Sequence, residues 1–250
     1  MEREFFEEPK DIEELSILEE IKVKNLVILA QHLAKDYEIG DFVVKAVNDV
    51  SLNIEDREFL VIKGPSGAGK TTLLNLIGGL DSPNSGLIYV NNVKITDLAE
   101  ESLALFRLIN IGFIFQNYNL ISTLTAEENI MFPMSLAGLN LKEQREKAIL
   151  LLNEVGLGDR REHLPFQLSA GEQQRVAIAR ALANNPPIII ADEPTANLDK
   201  NTSKVIQNLF LDMKNDGKTI IVATHDEYLI KLATHIIIFE DGIIIEEKVS

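Results

Sequence analysis

The chain has no cysteine, which excludes disulfides and thiolate sites and agrees with a reducing cytosol. Histidine is scarce as well: His32, His163, His225 and His235 are scattered, and none is spaced like a zinc-ligand pair. No apolar run approaches the roughly 20 residues of a spanning helix. The opening "MEREFFEEPKDIEEL" lacks a basic stretch followed by an apolar one. Together these absences predict a chain that neither spans a membrane nor is exported by this end. Positive charge is also short, with 24 Lys+Arg against 39 Asp+Glu and a net charge of −15. That excess repels a phosphate backbone and argues against nucleic acid as a partner.

What remains is a chain of 250 residues, 46% hydrophobic, enough for the core of one large domain or two small ones. The first twenty residues hold nine acids and two bases, so −7 of the −15 lies there. In "DIEELSILEEI", Ile12, Leu15, Leu18 and Ile21 fall near one stripe and allow a short amphipathic helix. Residues 1–24 read as an acidic N-terminal extension, solvated or loosely docked, with a partner-binding helix as the alternative.

Residues 25–250 read as the folded domain. From Leu26 the segments "LVILAQHL", "VVKAVNDVSLNI" and "EFLVIKG" are apolar or alternating and are separated by turn residues, which predicts strands. A hairpin-like "SGLIYVNNVKI" and the strand "IGFIF" follow. Between about 117 and 184 the periodicity turns helical, predicting an inserted helical lobe. The Ile/Val runs "IIIAD", "TIIVATHD" and "HIIIFEDGIIIEE" then read as strands buried on both faces of a parallel sheet.

Five segments carry chemistry. "GPSGAGKT", Gly64-Pro65-Ser66-Gly67-Ala68-Gly69-Lys70-Thr71, fits the phosphate-loop pattern in full and lies between a strand and a helix that continues with Thr72. Its glycines let the backbone wrap a β-phosphate, Lys70 reaches the β- and γ-phosphates, and the Thr71 hydroxyl is placed for Mg²⁺. "IIIADEP" ends a strand in two carboxylates: Asp192 suits Mg²⁺ through its water shell, and Glu193 suits an attacking water. Gln116 closes "IGFIF" with an amide for Mg²⁺ or the lytic water, and His225 closes "VATHD" within reach of a γ-phosphate. Finally "QLSAGEQQRVAIAR" sets the small-residue turn Ser169-Ala170-Gly171 at a helix start, a second anion cradle.

These motifs, with "ANLD" at 196–199, stand in the order and spacing of the ATP-binding cassette ATPases, which the chain resembles over roughly residues 26–245. The resemblance implies an α/β phosphate-loop NTPase fold with a RecA-like parallel-sheet core, an antiparallel β subdomain and an inserted α-helical subdomain. It also implies an ATP hydrolase using ATP and Mg²⁺. Gln116 resembles the Q-loop residue, Tyr37 the aromatic that stacks on adenine, Asp199 the aspartate that crosses a dimer interface, and His225 the switch histidine. Ser169 and Gly171 resemble signature residues that bind the γ-phosphate of the opposite subunit's ATP, so a head-to-tail homodimer is expected in the ATP-bound state.

The chain departs from the usual L-S-G-G-Q at Ala170 and Glu172. "GGLDSPNSG", "IGFIFQNYNLISTLTAEENI" and "ARALANNPPIIIADEPTANLD" resemble the lipoprotein-releasing, macrolide-efflux and cell-division branch most closely. That branch implies an integral membrane permease as partner and a cytoplasmic, peripheral location on the inner face of the cell membrane. Tyr118, Leu120 and Ile121 are read as exposed apolar residues where the permease docks, or as packing within the helical lobe. Signalling through a permease without transport is one alternative function; a soluble ATPase of DNA repair, chromosome organisation or translation is another, disfavoured by the charge and by the single cassette.

Overall fold

The structure, a computed structural model, describes residues 11–40, 42–196 and 198–249. The chain divides into two compact units, Met1–Phe106 with Ala233–Ser250, and Arg107–Leu232.

In the first unit, α1 (Ile12–Val23) precedes two long strands, β1 (Leu26–Ile39) and β2 (Phe42–Glu55). These pair antiparallel, with Ile28 opposite Ile54 and Tyr37 opposite Val44. β3 (Phe59–Lys63) leads to α2 (Lys70–Ile77), followed by β4 (Ser85–Val90) and β5 (Val93–Lys94). The antiparallel sheet runs in the order β2-β1-β4-β5. α3 (Glu100–Asn110) then carries the chain towards the second unit.

β9 (His235–Glu240) returns to the first unit and lies parallel to β3, with Ile62 opposite Ile237. β10 (Ile243–Val249) pairs antiparallel with β9 and is mostly exposed, with Val249 at 71%. The Ile/Val content of "HIIIFEDGIIIEE" had pointed to strands buried on both faces. Asp241 and Gly242, both at positive φ, make the tight reversal that turns β10 into an antiparallel hairpin arm instead.

α1 shows why its stripe is only half realised. Ile21 is buried, and Ile17 and Leu18 pack with it against Leu26, Leu29, Leu87 and Tyr89. Ile12 is 85% and Leu15 48% exposed. Ile12 lies nine residues, about two and a half helical turns, before Ile21, so the two side chains point to opposite faces. Glu14 takes part in the docking by accepting the Tyr89 hydroxyl at 3.1 Å. The helix is capped by Asp11, which accepts the Glu14 N–H at 2.9 Å.

In the second unit, β6 (Ile111–Ile114), β7 (Ile188–Asp192) and β8 (Thr219–Ala223) are parallel, with β7 in the middle. β7 and β8 are buried along almost their whole length, as their unbroken apolar composition requires. Between β6 and β7 lie α4 (Ala126–Leu136), α5 (Leu141–Glu154) and α6 (Ala170–Leu182); α7 (Lys200–Asn215) and α8 (Glu227–Leu232) flank β8 in sequence. α4, α5 and α6 share a core of Ile130, Met134, Ala148, Leu152 and Val176. Thr125, Asn140 and Ser169 begin these three helices, each in a reciprocal capping box with a glutamate three residues on.

Candidate functional site

In the first unit the phosphate loop joins β3 to α2. β3 is apolar and buried up to Lys63, so the chain enters the loop from a fixed strand. Gly69 begins α2 at φ 98°, and no side chain caps the helix there. A Cβ on Gly69 would lie 2.0 Å from the Ala46 carbonyl oxygen, which, with the left-handed backbone, restricts the position to glycine. A Cβ on Gly67, in contrast, would meet nothing within 4 Å, so the loop is open on that side. Pro65, Ser66 and Gly67 are exposed while Ala68 is buried, its carbonyl accepting the Gly242 N–H at 3.1 Å.

Lys70 is 7% exposed, and its ammonium donates to the carbonyls of Gly64 at 2.7 Å and Pro65 at 2.8 Å. The charge is thus folded into the cup of its own loop. Thr71 is exposed on the first turn of α2 and Thr72 is half-buried beside it. With the start of α2 beside it, uncapped by a side chain at Gly69, this is a preformed anion cradle with a buried cation at its floor.

Tyr37, on β1, is held by contacts the sequence does not announce. Its hydroxyl donates to Asp81 Oδ2 at 2.7 Å, and Lys35 Nζ lies 2.6 Å from Asp81 Oδ1 and 5.3 Å from the centre of the tyrosine ring. Burial, then the Asp81 hydrogen bond, push the phenol pKa up, with a hydrogen bond from Thr72 working the other way. Thr72 ties the tyrosine to the first turn of α2. Asp81 lies within "GGLDSPNSG", but only the fold reveals its partners.

In the second unit the strand ends assemble a polar group. Asp192 ends β7. Glu193 follows at φ 43°, its N–H donating to the Ala223 carbonyl of β8 at 2.8 Å. A non-glycine residue at positive φ is a local cost, here offset by that strand-to-strand hydrogen bond. His225 Nε2 lies 3.4 Å from Glu193 Oε1, with side chains 61% and 18% exposed respectively. The structure therefore brings Asp192, Glu193 and His225 to neighbouring strand ends. Gln116, two residues beyond β6, is exposed.

The segment after Gln116 is more tightly held than its sequence implies. Arg180 Nη2 donates to the Tyr118 carbonyl at 2.7 Å, and its other terminal nitrogen donates to the Asn119 carbonyl. Burial pushes the Arg180 guanidinium down to about 10. Asn129, fully buried, accepts the Ile121 N–H at 2.8 Å and donates to the carbonyls of Ile121, Leu124 and Thr125. Tyr118, Leu120 and Ile121 are half-buried, and Leu120 packs on the helical core. Of the two readings of these residues, exposure at a docking site or packing within the helical lobe, their partial burial fits the second, and hydrogen bonds from α4 and α6 pin the loop down.

Ser169 and Ala170 are exposed at the start of α6, and Gly171 is buried. A Cβ on Gly171 would lie 2.2 Å from Thr202 Cγ2, so glycine is required there by packing against α7 as well as by any approach of phosphate. Thr202 is in turn bonded through its N–H and hydroxyl to Asp199, the N-cap of α7. The signature turn and Asp199 are thereby joined through one threonine. Among the described residues, no group of three or more His, Cys, Asp or Glu side chains could hold a metal alone. The hydroxyl of Thr71 and the carboxylate of Asp192 are each of the hard-oxygen type that Mg²⁺ takes.

A sequence profile of the ABC transporter family matches residues 47–196. An uncharacterized ABC transporter ATP-binding protein of Methanocaldococcus jannaschii, MJ1508, is 46% identical over 88% of this chain and 98% of its own length. The macrolide export ATP-binding/permease protein MacB of Hyphomonas neptunium is 45% identical over 89% of this chain, which spans 34% of that protein. Among solved structures, the dimeric post-hydrolysis state of the ATP-binding cassette MJ0796 with ADP and Pi matches with a TM-score of 0.85 and 43% identity, over 89% of this chain and 98% of that one. The chain belongs to the ABC transporter family and is an ATP-binding subunit that hydrolyses ATP.

Proposed function

We propose that the chain works as a head-to-tail homodimer closed on two ATP molecules, converting hydrolysis into movement of an integral membrane permease of the lipoprotein-release or macrolide-export type. Its place would be peripheral, on the cytoplasmic face of the membrane. The relatives support this reading: MJ0796 has been solved as a dimer, and MacB is by name an ATP-binding and permease protein.

In this reading the backbone of Gly64–Gly69 and Lys70 hold the β- and γ-phosphates, and the Tyr37 ring, fixed by Asp81, carries the adenine. Thr71 and Asp192, with Gln116, are the residues that would hold Mg²⁺, which when bound offsets charge on the β- and γ-phosphates. Glu193 orients or deprotonates the attacking water, a role worth on the order of 10²–10⁴-fold in rate. His225 steadies Glu193 and the γ-phosphate. Ser169 and Gly171 of the other copy supply the donors that complete the clamp, and Asp199 crosses between the copies.

The observation that carries the proposal is the phosphate loop itself: an uncapped helix start over a buried lysine, open where a phosphate would lie. Glu193→Gln removes the base while keeping shape and hydrogen bonding, so ATP should accumulate unhydrolysed. Gel filtration with excess Mg-ATP is then expected to show a dimer and, without nucleotide, a monomer. A variant that binds ATP yet elutes as a monomer overturns the closed-dimer reading.

A further inference from the structure

The start of α6 is closed on itself. Glu172 Oε2 accepts both the Ser169 N–H at 2.8 Å and the Ser169 hydroxyl at 2.8 Å, and Ser169 Oγ accepts the Glu172 N–H at 3.3 Å. One anionic oxygen thus takes a backbone donor and a hydroxyl donor together, the pair that a phosphate oxygen would require. The other carboxylate oxygen, Oε1, lies 3.3 Å from Arg160 Nε, with side chains 21% and 49% exposed respectively. The carboxyl is held below its usual range, first by the Ser169 backbone hydrogen bond and further by the Ser169 hydroxyl and Arg160.

The carboxylate also has somewhere else to go. A cavity of about 460 Å³ is bordered by Glu172, Arg160, Asp159 and Arg175. Arg175 is anchored at its rim by donating to the carbonyls of Val155 at 2.8 Å and Gly156 at 3.3 Å. A side chain that turned off Ser169 would keep its contact with Arg160 and exchange two neutral donors for a second guanidinium, that of Arg175.

We propose that Glu172 is a displaceable positioning residue: it occupies the donors of Ser169 in the single subunit, must leave them when the γ-phosphate of a partner-bound ATP arrives, and is received between Arg160 and Arg175. The proposal rests on the reading of Ser169 as a ligand for that phosphate. Two anions cannot share one pair of donors, so closure has to move the glutamate or meet its charge. Glu172 therefore sets a threshold for ATP-driven dimerisation, and Arg175 lowers it by drawing the carboxylate away. A glutamine would keep the capping box through its amide oxygen and lose the charge.

The test uses the full chain carrying Glu193→Gln, with the ATP concentration for half-maximal dimer measured by sedimentation velocity and nucleotide affinity measured below the dimerising protein concentration. Adding Glu172→Gln should lower that ATP concentration about tenfold, equivalent to ~1.4 kcal/mol. Adding Arg175→Gln should raise it about threefold, and the combination should match Glu172→Gln alone, because Arg175 acts through Glu172. Monomer affinity for ATP should stay within about twofold throughout, since the phosphate loop is untouched.

If Glu172 only caps the helix, Glu172→Gln will leave the threshold unchanged and Glu172→Met will raise it; either result overturns the proposal, which requires both to lower it. Ser169→Ala in the same background separates the two levels. An unchanged threshold there overturns the reading of Ser169, whereas a raised threshold combined with no gain from Glu172→Gln overturns the Glu172 proposal alone.

Discussion

The protein begins two helices with small-residue turns and finishes them in opposite ways. α2 starts at Gly69 with no side-chain cap and a buried lysine folded against its own loop carbonyls. α6 starts at Ser169 inside a complete capping box whose carboxylate takes the serine's own donors. Both are anion cradles by geometry. No side chain caps the first at Gly69, whereas the second carries an anion in Glu172. The difference teaches that a helix start without a cap is as informative as a motif, because orphan N–H groups have to be met by something. It also orders the two events: the phosphate loop can take a nucleotide in a single subunit, whereas the signature turn must first give up an internal partner.

The hardest way to break this comparison is to remove the cation from the open cradle. Lys70→Ala deletes the only charged group in the Gly64–Thr71 loop and should reduce ATP affinity at least about 100-fold, with hydrolysis lost, since charge-assisted bonds to phosphate are the strong ones. Equilibrium binding of a fluorescent ATP analogue checks it. Near-normal affinity would mean that the backbone alone makes the cradle.

Ser169→Arg attacks the other turn. It removes the N-cap and puts bulk and charge where a second subunit would meet the turn. Hydrolysis should fall about 100-fold or more while ATP binding stays within about twofold. Steady-state phosphate release and the same binding assay separate the two quantities. Lost binding would show the signature turn serving its own subunit and would erase the distinction between the cradles.

How much of this could be read beforehand follows the range of each interaction. The phosphate loop, the strand-end carboxylates and the Ser169 turn were legible because the residues that define them are adjacent and lie where a run of apolar residues stops. The contacts that position them were not. Tyr37 finds Asp81 44 residues away, and Glu172 finds Arg160 12 residues before it. No period or spacing encodes a meeting of that kind. Arg180, on α6, holds the loop after Gln116 by two carbonyls, a contact that no local pattern announces. β10 was misread for a related reason: its isoleucines matched a buried strand, and only pairing exposes it as a hairpin arm. The helical lobe and the alternation of strands, which rest on local periodicity, were legible in outline.

The smallest effect tests internal satisfaction away from both turns. His235, 2% exposed on β9, sits between two carboxylates, with Nδ1 2.7 Å from Glu58 Oε1 and Nε2 2.9 Å from Glu247 Oε1. Burial works against the imidazolium, but the hydrogen bond and charge of Glu58, then Glu247, hold its pKa above the ordinary 6.5. Because the folded protein binds this proton more tightly than the unfolded chain, the contribution to stability is full below pH 6.5 and is lost as pH rises through the folded value. Its size should be about 1.5–3 kcal/mol, that of a hydrogen bond to a charged group.

Denaturant unfolding of the wild type and of Glu58→Gln, from pH 6 to pH 9, reads it out. The gap between the two should be widest at pH 6 and narrow towards pH 9 as the imidazolium loses its proton. ATP affinity of Glu58→Gln should stay constant over the same range, because this charge is matched by the chain itself and faces no ligand. A gap that widens with pH would mean that His235 is neutral in the fold. A nucleotide affinity that follows the gap would tie the ion pair to the open cradle and remove the line drawn between charges that await a ligand and charges already satisfied.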